Sequence, residues 1–285
     1  MKKIILVLLL TMFFPQGGYA SCDSQSCVAP YDLTSGFSRF FSNVTGQNFI
    51  AEKIGESLIK KAIKKDITEG KISVDLKSFS TRDLKAGRFK SLKIIGKNIV
   101  ADGIYISYFK TQTLCDFNYV VQDKEDEIIV KEDIPVSAEI VVSEEDLNNT
   151  MNSADYKRLV SDINTIGGSL NLFQIVSTSV KLKKGKMFYV MKYSLPFVRK
   201  TQEIVLSADL CVHNGEIILA NTSIVNNNLS LDVNKFSKIL NYINPLDFSA
   251  KILENKNARF NIQNVEVSGD EIEVNGIITI LKDKE

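Results

Sequence analysis

The amino-acid sequence predicts an α+β fold: a long, strongly curved antiparallel β-sheet wrapping amphipathic helices. Two observations carry this. Residues 72–120 read as strands laid end to end, with Ile72, Val74 and Leu76, then Phe89, Leu92 and Ile94, then Ile104, Ile106 and Tyr108, then Leu114, Phe117 and Tyr119. Apolar residues in these runs mostly alternate with Ser, Asp, Lys or Thr, the period-2 signature of a sheet with one buried face. The second observation is helix-period patterning at three places between the strand runs.

From the start of the chain, Lys2 and Lys3 precede an apolar run over residues 4–14 and a small-residue exit ending at Ala20. That pattern is a secretory leader cleaved after Ala20, too short for a permanent span of about 20 apolar residues. The mature protein is then periplasmic or extracellular. The alternative is a lipoprotein tethered through Cys22, although Tyr19 stands where a branched aliphatic residue is expected.

Residues 21–46, rich in Ser, Gly, Asn and Asp with scattered aromatics, read as a linker or loosely docked arm, with a short amphipathic turn near Phe37–Phe41. Residues 47–285 form one domain. Its first helix covers residues 48–67, with Ile50, Ile54, Leu58, Ile59 and Ile63 on a broad apolar face and Gly70 as a stop.

In the strands that follow, turns are marked at Lys85-Ala86-Gly87, Gly96-Lys97-Asn98 and Asp102-Gly103. A strand from Ile134 to Val142 runs into a helix opened by Ser143 and Asp146, a capping-box spacing, and broken at Gly167-Gly168. Four more strands cover residues 172–182, 186–195, 203–212 and 216–224, with Asn214-Gly215 as the strongest hairpin signal. Val233, Phe236, Ile239, Leu240 and Ile243 mark a third helix, with Asp232 as N-cap and Asn244-Pro245 as stop. Strands over residues 248–253, 259–267 and 271–281 finish the chain.

The charges balance, 35 basic against 34 acidic, which argues against a general nucleic-acid binder. Their distribution is polarised. Residues 77–97 and 181–200 are basic stretches, whereas residues 123–146 are strongly acidic. Arg88, Lys90, Lys93 and Lys97 are candidates for contact with lipid headgroups or an anionic membrane. The competing reading makes them solvated faces and guarded sheet edges.

The four cysteines are Cys22, Cys27, Cys115 and Cys211. In an oxidising compartment three pairings of two bridges exist. A local Cys22–Cys27 bridge is one expectation; Cys115 and Cys211, both placed in strands, are either paired or simply buried.

Catalytic chemistry finds no support. His213 is the single histidine and reads as a turn residue; no GxSxG elbow, phosphate loop or dinucleotide fingerprint is present. A metal site is not expected from one histidine without a CxxC, and no cofactor is implied.

Four segments resemble the LmeA-like phospholipid-binding family: GRFKSLKIIGKNIVADGIYISYFKTQTLCDFNYV (87–120), IPVSAEIVVSEEDLNN (134–149), VLSADLCVHNGEIILANTSI (205–224) and FNIQNVEVSGDEIEVNGIITI (260–280). The resemblance spans roughly residues 50–282 and rests on order and spacing rather than on any chemically specific motif. It implies a tubular lipid-binding-like fold, in which a long twisted sheet wraps a helix and leaves a groove for acyl chains.

The expected function is that of an exported protein holding phospholipid or another acyl lipid, for lipid transport or envelope maintenance. Candidate acyl-chain contacts are Ile50, Ile54, Leu58, Ile94, Ile106, Phe236, Leu240 and Ile243. The alternative is a non-enzymatic structural or interaction protein of the bacterial envelope with a fully packed core. Oligomeric state is not legible.

Overall fold

The structure is a computed structural model; it describes Cys27 and residues 33–44, 46–122, 128–169, 173–226 and 258–283. The leader, Cys22, the acidic loop at 123–127, the helix expected around Phe236, Leu240 and Ile243, and the strand expected over 248–253 lie outside the described residues.

The chain is α+β, and every strand pair among the described residues is antiparallel. Among the described residues two helices come first, α1 (Gly36–Val44) and α2 (Gln47–Ile63). Then follow β1 (Glu69–Lys77), the short α3 (Thr81–Lys85), β2 (Arg88–Phe89), β3 (Ser91–Ala101), β4 (Ile104–Thr113), β5 (Asn118–Gln122), β6 (Ile128–Val130) and β7 (Ile134–Ser143). After α4 (Glu144–Met151) and α5 (Ala154–Ser169) come β8 (Gln174–Lys183), β9 (Lys186–Ser194), β10 (Gln202–His213) and β11 (Glu216–Ile224). The C-terminal hairpin is β12 (Ala258–Ser268) and β13 (Glu271–Ile280).

The strands do not make one continuous sheet. They sort into a six-stranded sheet in the order β1-β3-β4-β7-β13-β12, a four-stranded sheet in the order β11-β10-β9-β8, and a small sheet β2-β5-β6. β13 pairs with β7 along its whole length, Ile280 opposite Ile134, so the end of the chain completes a sheet begun by its first strand. The two larger sheets meet where the Ile262 N–H of β12 donates to the Gly215 carbonyl in the β10–β11 turn, at 3.0 Å. One apolar core spans them, with Ile272 and Ile278 from one sheet and Met191 and Ile204 from the other fully buried.

One strand expectation and one helix expectation need correction. Gly96-Lys97-Asn98 is not a turn: β3 runs through it to Ala101. Asn98 has φ 52°, and the β1–β3 register shifts by one residue there, the mark of a β-bulge. A left-handed Asn two residues after a Gly imitates a turn when only the sequence is read. The helix begun at Ser143 also stops early, at Met151, before α5 restarts at Ala154. Its capping box is present in both directions, Ser143 accepting from the Asp146 N–H and Asp146 accepting from the Ser143 N–H.

The helices are fastened to open strand edges by polar side chains. β8 is an edge of the four-stranded sheet. Asn148 of α4 exchanges two hydrogen bonds with the Val180 backbone, each 2.9 Å, and Asn164 of α5 does the same with Ile175. Glu144 accepts from the Leu182 N–H at 2.8 Å. On β1, an edge of the six-stranded sheet, Glu52 of α2 accepts from the N–H and hydroxyl of Ser78, and Glu56 accepts from the Leu76 N–H. These contacts satisfy backbone donors that an uncovered edge leaves to water or to another chain.

The described part of the N-terminal arm is docked. The Thr34 N–H and hydroxyl both donate to the buried Asp83 carboxylate, at 2.9 and 2.7 Å, and Ser80 caps α3 while donating to the same group at 2.6 Å. Burial works to raise the pKa of Asp83, but hydrogen bonds from Ser80 and Thr34, with nearby Arg39, outweigh it and hold the carboxyl below its ordinary value.

Neither expected cysteine pair is present, although Cys115 is buried and Cys211 lies in a strand as expected. Cys27 pairs with Cys115, 88 positions away, rather than with Cys22, and Cys211 is free and exposed on β10. Cys115 is buried, but in the loop after β4 rather than in a strand. The buried Asn118 amide holds that loop by donating to the carbonyls of Cys115 and Lys90, at 2.9 and 3.0 Å.

Candidate functional site: an apolar groove beside the first long helix

Helix α2 presents two different sides. Glu52, Glu56, Ile59 and Ile63 follow one stripe at i, i+4, i+7 and i+11, and this stripe meets β1 and the core. Ile63 is fully buried there. Gly55 lets the helix come close: a Cβ at that position would sit 2.7 Å from Leu76 Cδ2. Ile50, Ile54 and Leu58 follow another stripe and remain 60, 58 and 63 % exposed.

Ile54 and Leu58 form one wall of a groove of about 1000 Å³ between α2 and the sheets. Its floor is a run of cross-strand neighbours on one face of the six-stranded sheet. Leu76 stands opposite Leu92, Ile94 opposite Thr111, Thr113 opposite Val136, and Ile134 opposite Ile280. The far wall comes from the small sheet, through Phe89, Val120 and Val130. Gly87 is required at that wall, because it has φ 77° and a Cβ would lie 1.6 Å from the Val120 carbonyl oxygen.

The polar inventory of the lining is short. Thr81, Thr111, Thr113 and the Tyr119 side chain supply hydroxyls, and Lys61, Lys65 and Lys85 supply cations; no His, Cys, Asp or Glu is among the described lining residues. All three lysines are exposed, and among the described residues none has a carboxylate within ion-pair distance. Its described lining is apolar surface below with positive charge at the rim.

Of the residues expected to contact acyl chains, Ile54, Leu58 and Ile94 line the groove. Ile50 lies beyond its described lining on the exposed stripe, and Ile106 is buried in the closed core. Phe236, Leu240 and Ile243 are outside the described residues.

Of the headgroup candidates, Arg88 approaches the groove, its guanidinium 5.2 Å from the centre of the ring of Tyr119, a lining residue. Lys93 and Lys97 alternate with Ile94 and Gly96 and therefore sit on the opposite sheet face, and Lys90 is exposed outside the lining. The lysines that do reach the rim are different ones. Lys61 and Lys65 continue the Ile54–Leu58 side of α2 at helical spacing, a signal present in the sequence. Lys85 ends α3, and only the fold brings it there.

His213 is exposed at the end of β10, opposite Glu216 across the Asn214-Gly215 turn, and takes no part in the groove. Tyr156 and Tyr189 meet inside the core with hydroxyls 3.2 Å apart; burial pushes Tyr156 up to about 12, so the pair is neutral and structural.

Comparisons of the chain with family models, with curated proteins and with solved structures give no match.

Proposed function

We propose that this protein is an exported lipid-binding protein that shelters acyl chains in the groove between α2 and the sheets. One observation carries the reading: Ile54 and Leu58, more than half exposed, face an apolar floor across about 1000 Å³ of space. That volume lies at the top of the range of about 300–1000 Å³ for pockets that take small molecules. Each methylene withdrawn from water there contributes about 0.8 kcal/mol, so a long alkyl chain is held by the sum of many weak equal steps. The rim lysines and the absence of carboxylates among the described lining residues favour a headgroup carrying negative charge.

Other features support the same reading. The Cys27–Cys115 bridge suits an oxidising compartment, as does the leader-like start of the chain. The resemblance to the LmeA-like family, with its tubular lipid-binding fold and strongly curved sheet, belongs to this proposal too. A structural protein with a packed interior has no use for such a groove.

Gentle extraction followed by native mass spectrometry tests the proposal. The expected result is co-purified phospholipid, displaced when an acyl chain is added in excess. Protein that comes out empty, and takes up no phospholipid from vesicles, refutes it.

A further inference from the structure

The loop joining β9 to β10 bears on no part of the groove. Residues 196–201 are all exposed, and Phe197 is fully so. The Val198 N–H donates to the Leu195 carbonyl at 3.2 Å, closing a four-residue turn with Pro196 second and Phe197 third. Phe197 has φ 70°, the third-position geometry of a type II turn, which normally takes Gly or Asn. The other non-glycine residues with positive φ among the described ones are Asn, Asp or Lys. An aromatic side chain is thus held in a disfavoured backbone conformation and aimed wholly into water. Both features work against the folded state in solution.

The flanking chemistry shows where such a tip belongs. Val198 is exposed beside Phe197, Arg199 and Lys200 follow directly, and no acidic residue occurs between Ser194 and Gln202. Among the described residues neither cation has an ion-pair partner. The base is firm, because β9 and β10 are the two inner strands of the four-stranded sheet and Tyr193 at the foot of the loop is fully buried. Six exposed residues are few for a stable protein interface, which takes about 20–30 on each side. They suffice for a membrane surface, where aromatic rings settle at the interfacial layer and cations meet anionic headgroups.

We propose that the β9–β10 loop is a membrane-docking tip, Phe197 and Val198 entering the interfacial layer of an anionic lipid surface while Arg199 and Lys200 contact its headgroups. This docking does not depend on the groove holding a lipid, and either proposal survives the failure of the other.

The chain has no tryptophan, so Phe197→Trp places a single reporter at the tip. The full chain, as the cell processes it, is titrated with phosphatidylcholine vesicles with and without phosphatidylglycerol. The expected result is a blue shift in emission and quenching by lipids brominated near the headgroup, strongest with phosphatidylglycerol. The double variant Phe197→Ser, Val198→Ser is expected to bind these vesicles at least about tenfold more weakly. Arg199→Ala with Lys200→Ala should lose about as much on phosphatidylglycerol vesicles alone. An emission spectrum unmoved by either vesicle type, or serine variants that bind like the parent, overturns the proposal. So does a shift that grows with protein concentration without vesicles, which places a second copy of the chain on the tip instead.

Discussion

Leu58→Glu separates the groove's binding role from its place in the fold. A leucine fully removed from water contributes roughly 1.5–3 kcal/mol. Leu58 is 63 % exposed, so on that scale about 1–2 kcal/mol is realised only when something covers the groove. Glutamate matches leucine closely in helix propensity and lies comfortably in water, so the empty protein should change in stability by no more than about 0.5 kcal/mol. A lipid entering beside the new carboxylate loses the leucine contact and also has to dehydrate a charge. Together these should weaken binding by at least about tenfold. Ile63→Ala on the same helix is the opposite case: Ile63 is fully buried, and its truncation should cost about 2–5 kcal/mol of stability. Urea denaturation gives the stability, and displacement of a fluorescent fatty acid gives the affinity. If Leu58→Glu unfolds the protein as readily as Ile63→Ala, the stripe belongs to the core. If it binds the fatty acid as tightly as the parent, the groove is not the site.

Further outcomes are expected elsewhere in the chain. Phe197→Gly should raise stability by about 1 kcal/mol, since glycine adopts the positive φ without penalty, while weakening vesicle binding; a lower melting temperature contradicts the strained geometry. Cys115→Ser opens a closure across 88 positions and should cost about 4 kcal/mol in a non-reducing melt, with little change in the parent's advantage at different salt concentrations. Asp83→Asn should cost about 2–3 kcal/mol at neutral pH. The folded-state pKa of Asp83 is depressed, so its contribution is complete above the unfolded carboxyl pKa and lost as pH falls through the folded one. The gap between parent and Asp83→Asn in denaturant midpoint should therefore close on acidification, and a gap that widens in acid excludes the Thr34–Asp83 anchor. A series of fatty acids should gain about fourfold in affinity per added methylene until the groove is full, measured by the same displacement.

Local chemistry was readable wherever a local interaction sets the conformation. Asn214-Gly215 and Asp102-Gly103 place their residues at φ 52° and 80° and at φ 48° and 77°, as hairpin turns of this type demand. The Ser143–Asp146 capping box forms as its spacing predicts. What failed depends on contacts far apart in sequence. Asn98 looks like a turn residue whether it ends a strand or bulges one. Cys27 meets Cys115 because the arm is docked through Thr34 to Asp83, which nothing near either cysteine reveals. The division into three sheets follows from β13 pairing with β7 across more than a hundred residues. In the groove, the apolar stripe of α2 was legible, but not which part of it stays uncovered. Lys93 and Lys97 stand away from the rim because they share a strand with Ile94, and alternation sends their side chains to the opposite face.

The groove stays open because of how α2 is held. An amphipathic helix normally buries its apolar stripe by lying across a sheet, and that packing leaves no space beneath it. Here Glu52 and Glu56 bind backbone donors of the β1 edge, and Gly55 brings the helix against Leu76, so α2 is fixed along the margin of the sheet. Fixed there, it buries Ile63 and turns Ile54 and Leu58 towards the sheet floor across open space. The same two glutamates would pass for ordinary solvent-facing residues in the sequence, yet they replace the face-on packing that would have closed the groove. Hydrogen bonds at the edge supply attachment, and the hydrocarbon surface they spare from packing is what a ligand can cover.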